Sequence, residues 1–254
     1  MSSRNIGFFK EELTVISLVI LDRVFYFENS MAISESNSGV PASLVIEFKR
    51  RSDIHWARKL WHMIGVSVIA LIYTFLPESY SKLIITVSCF IFIPFDLLRT
   101  QWPQFNHSVW AIFHAVMREN EKDGIAGTTY LFLGTGIIIW IFPREVVLLS
   151  MLFLAFADPI ASYFGIRFGK DKIFGQKSLQ GSIAALAVCA LLTGAYLYYN
   201  GLFLERLVLV SLICGLIGAI AELVPIWKLD DNLSLPVLSA IAINIVFHLF
   251  GAFT

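Results

Sequence analysis

The stretch richest in chemistry runs from Ala157 to Gly181. Asp158 is followed by Ser162, Gly165 and Gly169, and then by Lys170, Lys172, Gly175, Lys177, Ser178 and Gly181. On a helix the first four fall at i, i+4, i+7 and i+11 and share one face. Small residues there leave room for a ligand or for a neighbouring helix. The cationic side chains and glycine amides of the following loop suit a triphosphate, which is multiply charged and accepts many hydrogen bonds. A carboxylate beside them suits the magnesium that bridges phosphates. On spacing alone, a helix-packing face followed by a basic loop accounts for the same residues.

Other ionisable residues stand near the ends of apolar runs: Asp96 and Arg99, Glu222, and the Asp230-Asp231-Asn232 triplet. The runs themselves are seven, at about 60–76, 83–98, 125–142, 146–165, 182–199, 207–227 and 235–253. Each is close to the length that crosses a hydrocarbon core, the first two being short. The chain is 57% hydrophobic and only 15% charged, with a mean hydropathy of +0.74. A soluble domain carries about 25% charged residues, so the solvent for this chain is mostly lipid. The expected fold is all-α, a polytopic integral membrane protein of about seven transmembrane helices. An interfacial helix is expected at Val109–Met117, ahead of the charged run Arg118–Asp123.

Sidedness follows from the basic residues. Thirteen lysines and arginines fall in loops on the side that precedes the first span, among them Arg58, Lys59, Arg118, Arg167, Lys170 and Lys177. Only Lys82, Arg144 and Arg206 fall opposite. Cytoplasmic loops carry the excess of positive charge, so the basic side is the cytoplasmic one. Asp96, Asp158, Glu222 and Asp231 lie at that same side. Acidic residues inside spans cost about 2.5–3.5 kcal/mol each on insertion scales, which makes a functional site the default reading. Carboxylates and amines gathered at one face suit catalysis better than a conduction path, which would line the bilayer midplane and break helices in repeated halves.

At this point the residues resemble a known family. Asp158 through Gly169, with Lys177-Ser178-x-x-Gly181, resembles the nucleotide motif of the CTP-dependent lipid kinases, the family of dolichol kinase, phytol kinase and CTP-dependent diacylglycerol kinase. Arg58-Lys59-x-x-His62 with Gly65 is similar to that family's entry to its first core span. Glu119 to Gly127 is similar to its acidic-then-glycine run. Glu222 with Asp231-Asn232 and Pro236 is similar to its C-terminal motif. Phosphatidate cytidylyltransferases share the first motif, but their P-G-H-G-G signature is replaced here by Leu229-Asp230-Asp231-Asn232. The resemblance covers about residues 55–253.

It implies transfer of the γ-phosphoryl group of CTP to a membrane lipid alcohol, whether polyprenol or dolichol, a phytol-like isoprenoid or diacylglycerol. The alternative is a phosphatidate cytidylyltransferase making CDP-diacylglycerol. The implied catalytic residues are Asp158, Glu222, Asp231 and Asn232, with Asp158 and Asp231 as magnesium ligands. The implied nucleotide contacts are Arg58, Lys59, His62, Gly165, Arg167, Gly169, Lys170, Lys177, Ser178 and Gly181. Each role has a structural counterpart: an N-cap for Asp231-Asn232, snorkelling to headgroups for Arg58 and Lys59, and an interhelical hydrogen bond for Glu222.

The expected partners are therefore a lipid substrate and a nucleotide triphosphate, with no nucleic acid; a homo-oligomer is compatible with the sequence. Residues 1–54 read as an extension and linker ahead of a transmembrane catalytic domain at 55–254, with Met31 an alternative start. Cys89, Cys189 and Cys214 lie singly within apolar runs and read as packing residues.

Overall fold

The computed structural model describes residues 56–226 and 229–252. The expected extension at 1–54 lies outside them, as does Lys228. The chain folds into helices α1 (Trp56–Phe75), α2 (Glu78–Gln101), α3 (Pro103–Phe113), α4 (Gly127–Ile141), α5 (Arg144–Leu152), α6 (Asp158–Phe168), α7 (Leu179–Tyr199), α8 (Leu207–Leu223) and α9 (Asp231–Leu249). A π-helical turn, Phe153–Ala157, fuses α5 to α6, and a two-stranded hairpin, β1 (Lys172–Phe174) and β2 (Lys177–Ser178), joins α6 to α7. Five of these rods are long and apolar enough to cross a membrane: α2, α5–α6, α7, α8 with its preceding turn, and α9. The other two expected segments are the 20-residue α1 and the shorter α4. The protein is an all-α polytopic membrane protein.

The α5–α6 rod is the centre of the bundle. From Val146 to Ala157 every residue is buried except Leu152 and Phe156, which are partly so. A helix apolar on all sides has no solvent face to present, and this one is wrapped by α1, α7, α8 and α9. Among the described residues the α7–α8 contact is the most extensive. A Cβ on Gly215 would stand 2.7 Å from the Ala190 Cβ, and one on Gly218 would stand 2.4 Å from the Cys189 Sγ. Helices in lipid gain by such approach of small residues. Cys189 and Cys214 are buried free thiols, as expected of packing residues, and Cys89 Sγ donates to the Phe132 carbonyl.

The helix between the second and third spans differs from expectation. It occupies Pro103–Phe113 instead of 109–117, and a 3₁₀ turn at Glu119–Glu121 follows. Pro103 opens it, because a proline suits the first helical position and forces the residue before it, Trp102, out of the helical region.

Contacts confirm how the ends are paired. Arg144, at the start of α5, donates to the carbonyls of Tyr73 and Thr74 at the end of α1. The starts of α1, α4 and α9 and the ends of α2 and α8 meet at the opposite end, where the site lies.

Candidate active site

Asp158 owes its setting to the proline behind it. Pro159 has no N–H to give the preceding turn, and the helix answers by widening. The Asp158 N–H reaches back five residues to the Phe153 carbonyl, so the Leu154 carbonyl loses its usual partner. His62 supplies the replacement, its Nε2 lying 3.0 Å from Leu154 O. A carbonyl only accepts, so the proton is on Nε2. One turn earlier on α1, Lys59 Nζ donates to the Pro159 carbonyl at 3.1 Å. Lys59 and His62 of the Arg-Lys-x-x-His run thus brace the irregular turn that carries Asp158.

Lys177 approaches from the hairpin. Its turn needs Gly175, whose φ of +54° is costly for other residues. Ser178 caps α7, its Oγ accepting from the Gly181 N–H. The glycines hold this corner against α6. A Cβ on Gly181 would meet the Ala161 carbonyl at 2.8 Å, and one on Gly169 would meet the Ser178 Oγ at 2.5 Å. The Lys177 ammonium therefore lands 3.2 Å from Glu222 Oε1 at the end of α8 and 3.3 Å from Asp231 Oδ2 at the start of α9, and it also donates to the Glu222 carbonyl. Burial opposes its charge, but the carboxylates of Glu222, Asp231 and Asp158 outweigh that and hold its pKa above the ordinary lysine value. Four elements far apart in sequence so deliver Asp158, Lys177, Glu222 and Asp231 to one electrostatic cluster.

A second group adjoins it. Asp230 caps α9 by accepting from the Asn232 N–H, and its other oxygen accepts from Arg118 Nη1 at 2.7 Å. Asn232 Nδ2 donates to the Gly127 carbonyl at the start of α4. Glu121 accepts from the Arg118 N–H through Oε2, and its Oε1 lies 3.4 Å from Arg58 Nη1. Those last two atoms are buried and form no hydrogen bond among the described residues. Arg58 also feels Asp158 and Asp230, which joins the two groups.

The remaining expected residues divide. Gly165 and Gly181 face each other at the α6–α7 corner. Gly169 ends α6 in extended backbone instead of continuing its face. Arg167 and Lys170 are exposed: Arg167 donates to the Tyr163 hydroxyl, and the Lys170 N–H to the Gln180 side chain. Among the described residues, neither reaches the cluster. Asp96 and Arg99 do pair, at 2.9 Å, but Arg99 also donates to the carbonyls of Glu121, Lys122 and Gly124, pinning the segment before α4. Sequence reasoning left Arg118, Glu121 and Asp230 off the site. Glu121 had a signal in the acidic run before Gly127; the Arg118–Asp230 pair, 112 residues apart, had none.

Such a bundle, apolar outside and with a charged cluster at one end, is that of an integral membrane enzyme. The chain is 37% identical over 164 residues to the CTP-dependent diacylglycerol kinase 1 of Schizosaccharomyces pombe, covering 59% of this chain and 74% of that one. It is 33% identical to the Saccharomyces cerevisiae protein of the same name, covering 61% and 60%, and 31% identical to that of Eremothecium gossypii, covering 74% and 66%. No family model and no solved structure matches it. The chain belongs to the CTP-dependent lipid kinases, and it is a phosphotransferase.

Proposed function

We propose that this protein transfers the γ-phosphoryl group of CTP to the hydroxyl of diacylglycerol, with its active site at the cytoplasmic face of the membrane. The observation that carries the reading is the convergence of Asp158, Lys177, Glu222 and Asp231 at one end of the bundle. The names of the relatives support diacylglycerol over polyprenol, dolichol or phytol-like acceptors, and kinase over cytidylyltransferase. The excess of lysine and arginine on that side supports the orientation.

The donor set suits magnesium. Asp158, Glu222, Asp231, Asp230 and Glu121 together outnumber Arg58, Lys59, Arg118 and Lys177. Carboxylates that face a triphosphate repel it unless a cation stands between them. Among the described residues no three acidic, histidine or cysteine groups enclose a metal by themselves, but magnesium shared with phosphates needs only one or two protein carboxylates. Asp158 and Asp231 are the residues that would hold it. When bound, it neutralises the charge that develops on the phosphate oxygens.

The chain's own residues then do the rest. Lys177 grips the phosphates, and Arg58, whose Nη1 forms no hydrogen bond among the described residues, adds a second cationic contact. Lys59 and His62 fix the turn that presents Asp158. The lipid hydroxyl oxygen bonds to the γ-phosphorus as the bond to the β–γ bridging oxygen breaks, and CDP departs. The hydroxyl proton passes to Glu222, the carboxylate of the cluster not assigned to the metal, which lies 3.2 Å from Lys177. Asn232, held to Gly127, keeps the first turn of α9 in register beside Asp231.

The test uses purified protein, CTP labelled at the α- or γ-phosphate, and a panel of diacylglycerol, isoprenoid alcohols and phosphatidate. Label from the γ position in phosphatidate, made from diacylglycerol, is expected. A cytidine-bearing lipid with released pyrophosphate would overturn the reading.

A further inference from the structure

Beyond the cluster that meets the substrates, a chain of alternating charges crosses the end of the bundle. It runs from Arg58 on α1 to Glu121 and Arg118 on the segment before α4, and on to Asp230 at the cap of α9. Arg118 spends Nη1 on Asp230 Oδ2 at 2.7 Å, and its own N–H on Glu121 Oε2 at 3.2 Å. Asp230 uses its other oxygen to cap the helix whose first residue is Asp231. Asn232, next in line, is tied to Gly127 at 3.0 Å. The segment is itself fixed from below, since buried Arg99 holds three of its carbonyls and Asp96 accepts from the Ala126 N–H. A surface ion pair between two loops would mean little. This one joins a rigidly held segment to the backbone cap that sets the direction of Asp231.

We infer that Arg118 is a positioning residue of the reaction: through Asp230 it orients the first turn of α9 and so aims Asp231 at the reacting phosphate. Glu121 serves the same bridge by fixing the Arg118 backbone on one side and facing Arg58 on the other. The inference rests on the kinase reading above. Arg118 acts through Asp230, to which its Nη1 is committed.

The experiment measures steady-state kinetics for CTP in the purified full chain and in Arg118→Ala, Arg118→Lys, Asp230→Asn and the Arg118→Ala/Asp230→Asn double variant. Asp230→Asn keeps the capping oxygen and the shape, so it carries the test even where Arg118→Ala folds poorly. Loss of an outer partner of this kind costs about tenfold or more in activity. The expected loss of that size falls on kcat in either single variant, the double is no worse than the singles, and Arg118→Lys recovers most of it. The rise in unfolding temperature produced by CTP with magnesium is expected to persist, since the phosphate contacts remain. Wild-type kinetics in Asp230→Asn, losses that multiply in the double variant, or a loss confined to KM would overturn the inference, the last by putting Arg118 on the phosphates. A wild-type chain without CTP-dependent lipid phosphorylation would remove the parent reading and this one with it; an active wild type with indifferent variants removes this one alone.

Discussion

Lys177 and Glu222, 45 residues apart in the chain, meet through both the side-chain and the main-chain oxygens of the glutamate, the carboxylate at 3.2 Å. The double contact ties the hairpin after α6 to the end of α8, and the same ammonium reaches Asp231 on α9. One side chain so locks three elements at the site. In the proposed reaction that ammonium is also the phosphate grip, so nucleotide binding and the closure of this end are linked.

Replacing Lys177 with alanine is expected to raise the apparent KM for CTP by about tenfold or more. That is the scale of one lost charge-assisted hydrogen bond, about 1.5–3 kcal/mol. Initial-rate measurements over a range of CTP concentrations check it, and an unchanged KM argues against phosphate contact.

Asp158→Asn is expected to abolish CTP-dependent phosphorylation while leaving protein level and thermal unfolding near wild type. The substitution keeps the shape of the side chain and removes the charge proposed to hold magnesium. A loss on the order of 10²–10³-fold in kcat fits removal of one electrostatic stabiliser of a transition state. Normal turnover would take Asp158 out of the metal site.

Much of this was legible in the sequence, and the exceptions have physical causes. Seven apolar segments became seven rods because lipid obliges a backbone to satisfy itself within each segment. Asp158, Lys177, Glu222 and Asp231 could be put at one end because alternation of helices fixes the end on which each loop emerges. The π-helical turn was hidden, since a single Asp-Pro step does not say whether the helix kinks, stops or widens. The hairpin was hidden too, its strands being only three and two residues long. Gly165, Gly169 and Gly181 pack α6 against the hairpin corner and the start of α7, a use that spacing left open beside ligand contact. Arg118 and Asp230 come together only through the tertiary fold.

Arg99 is expected to matter for stability and not for chemistry. It is 1% exposed, pairs with Asp96, and donates to Asn106 and to three carbonyls of the segment before α4. Breaking a buried pair of this kind costs about 3–5 kcal/mol. Arg99→Ala should therefore unfold at a markedly lower temperature in detergent. Arg99→Lys should rescue little, because an ammonium cannot reproduce the planar fork of five donors. Equal recovery by lysine would show that charge alone suffices.

Glycines marked by the same resemblance are expected to differ sharply. A Cβ at Gly181 would press on the Ala161 carbonyl at 2.8 Å and the Gly165 Cα at 3.4 Å, whereas one at Gly65 meets nothing within 4 Å among the described residues. Gly181→Ala should push the corner away from α6, cost about 1–3 kcal/mol of stability and weaken CTP binding. Gly65→Ala should be close to neutral in both. Thermal unfolding and the KM for CTP, measured side by side, check the contrast; a neutral Gly181→Ala would mean that the corner is loosely packed.

The most direct test of the account is carbodiimide coupling of the chain in membranes, read by peptide mass spectrometry together with turnover of γ-labelled CTP. A zero-length reagent joins an amine to a carboxylate only where the two already touch. The expected product links Lys177 to Glu222 or Asp231, abolishes lipid phosphorylation in proportion to its yield, and is suppressed by CTP with magnesium. A Lys177 that couples to neither residue, or full coupling with undiminished turnover, would contradict a single catalytic cluster built on that lysine.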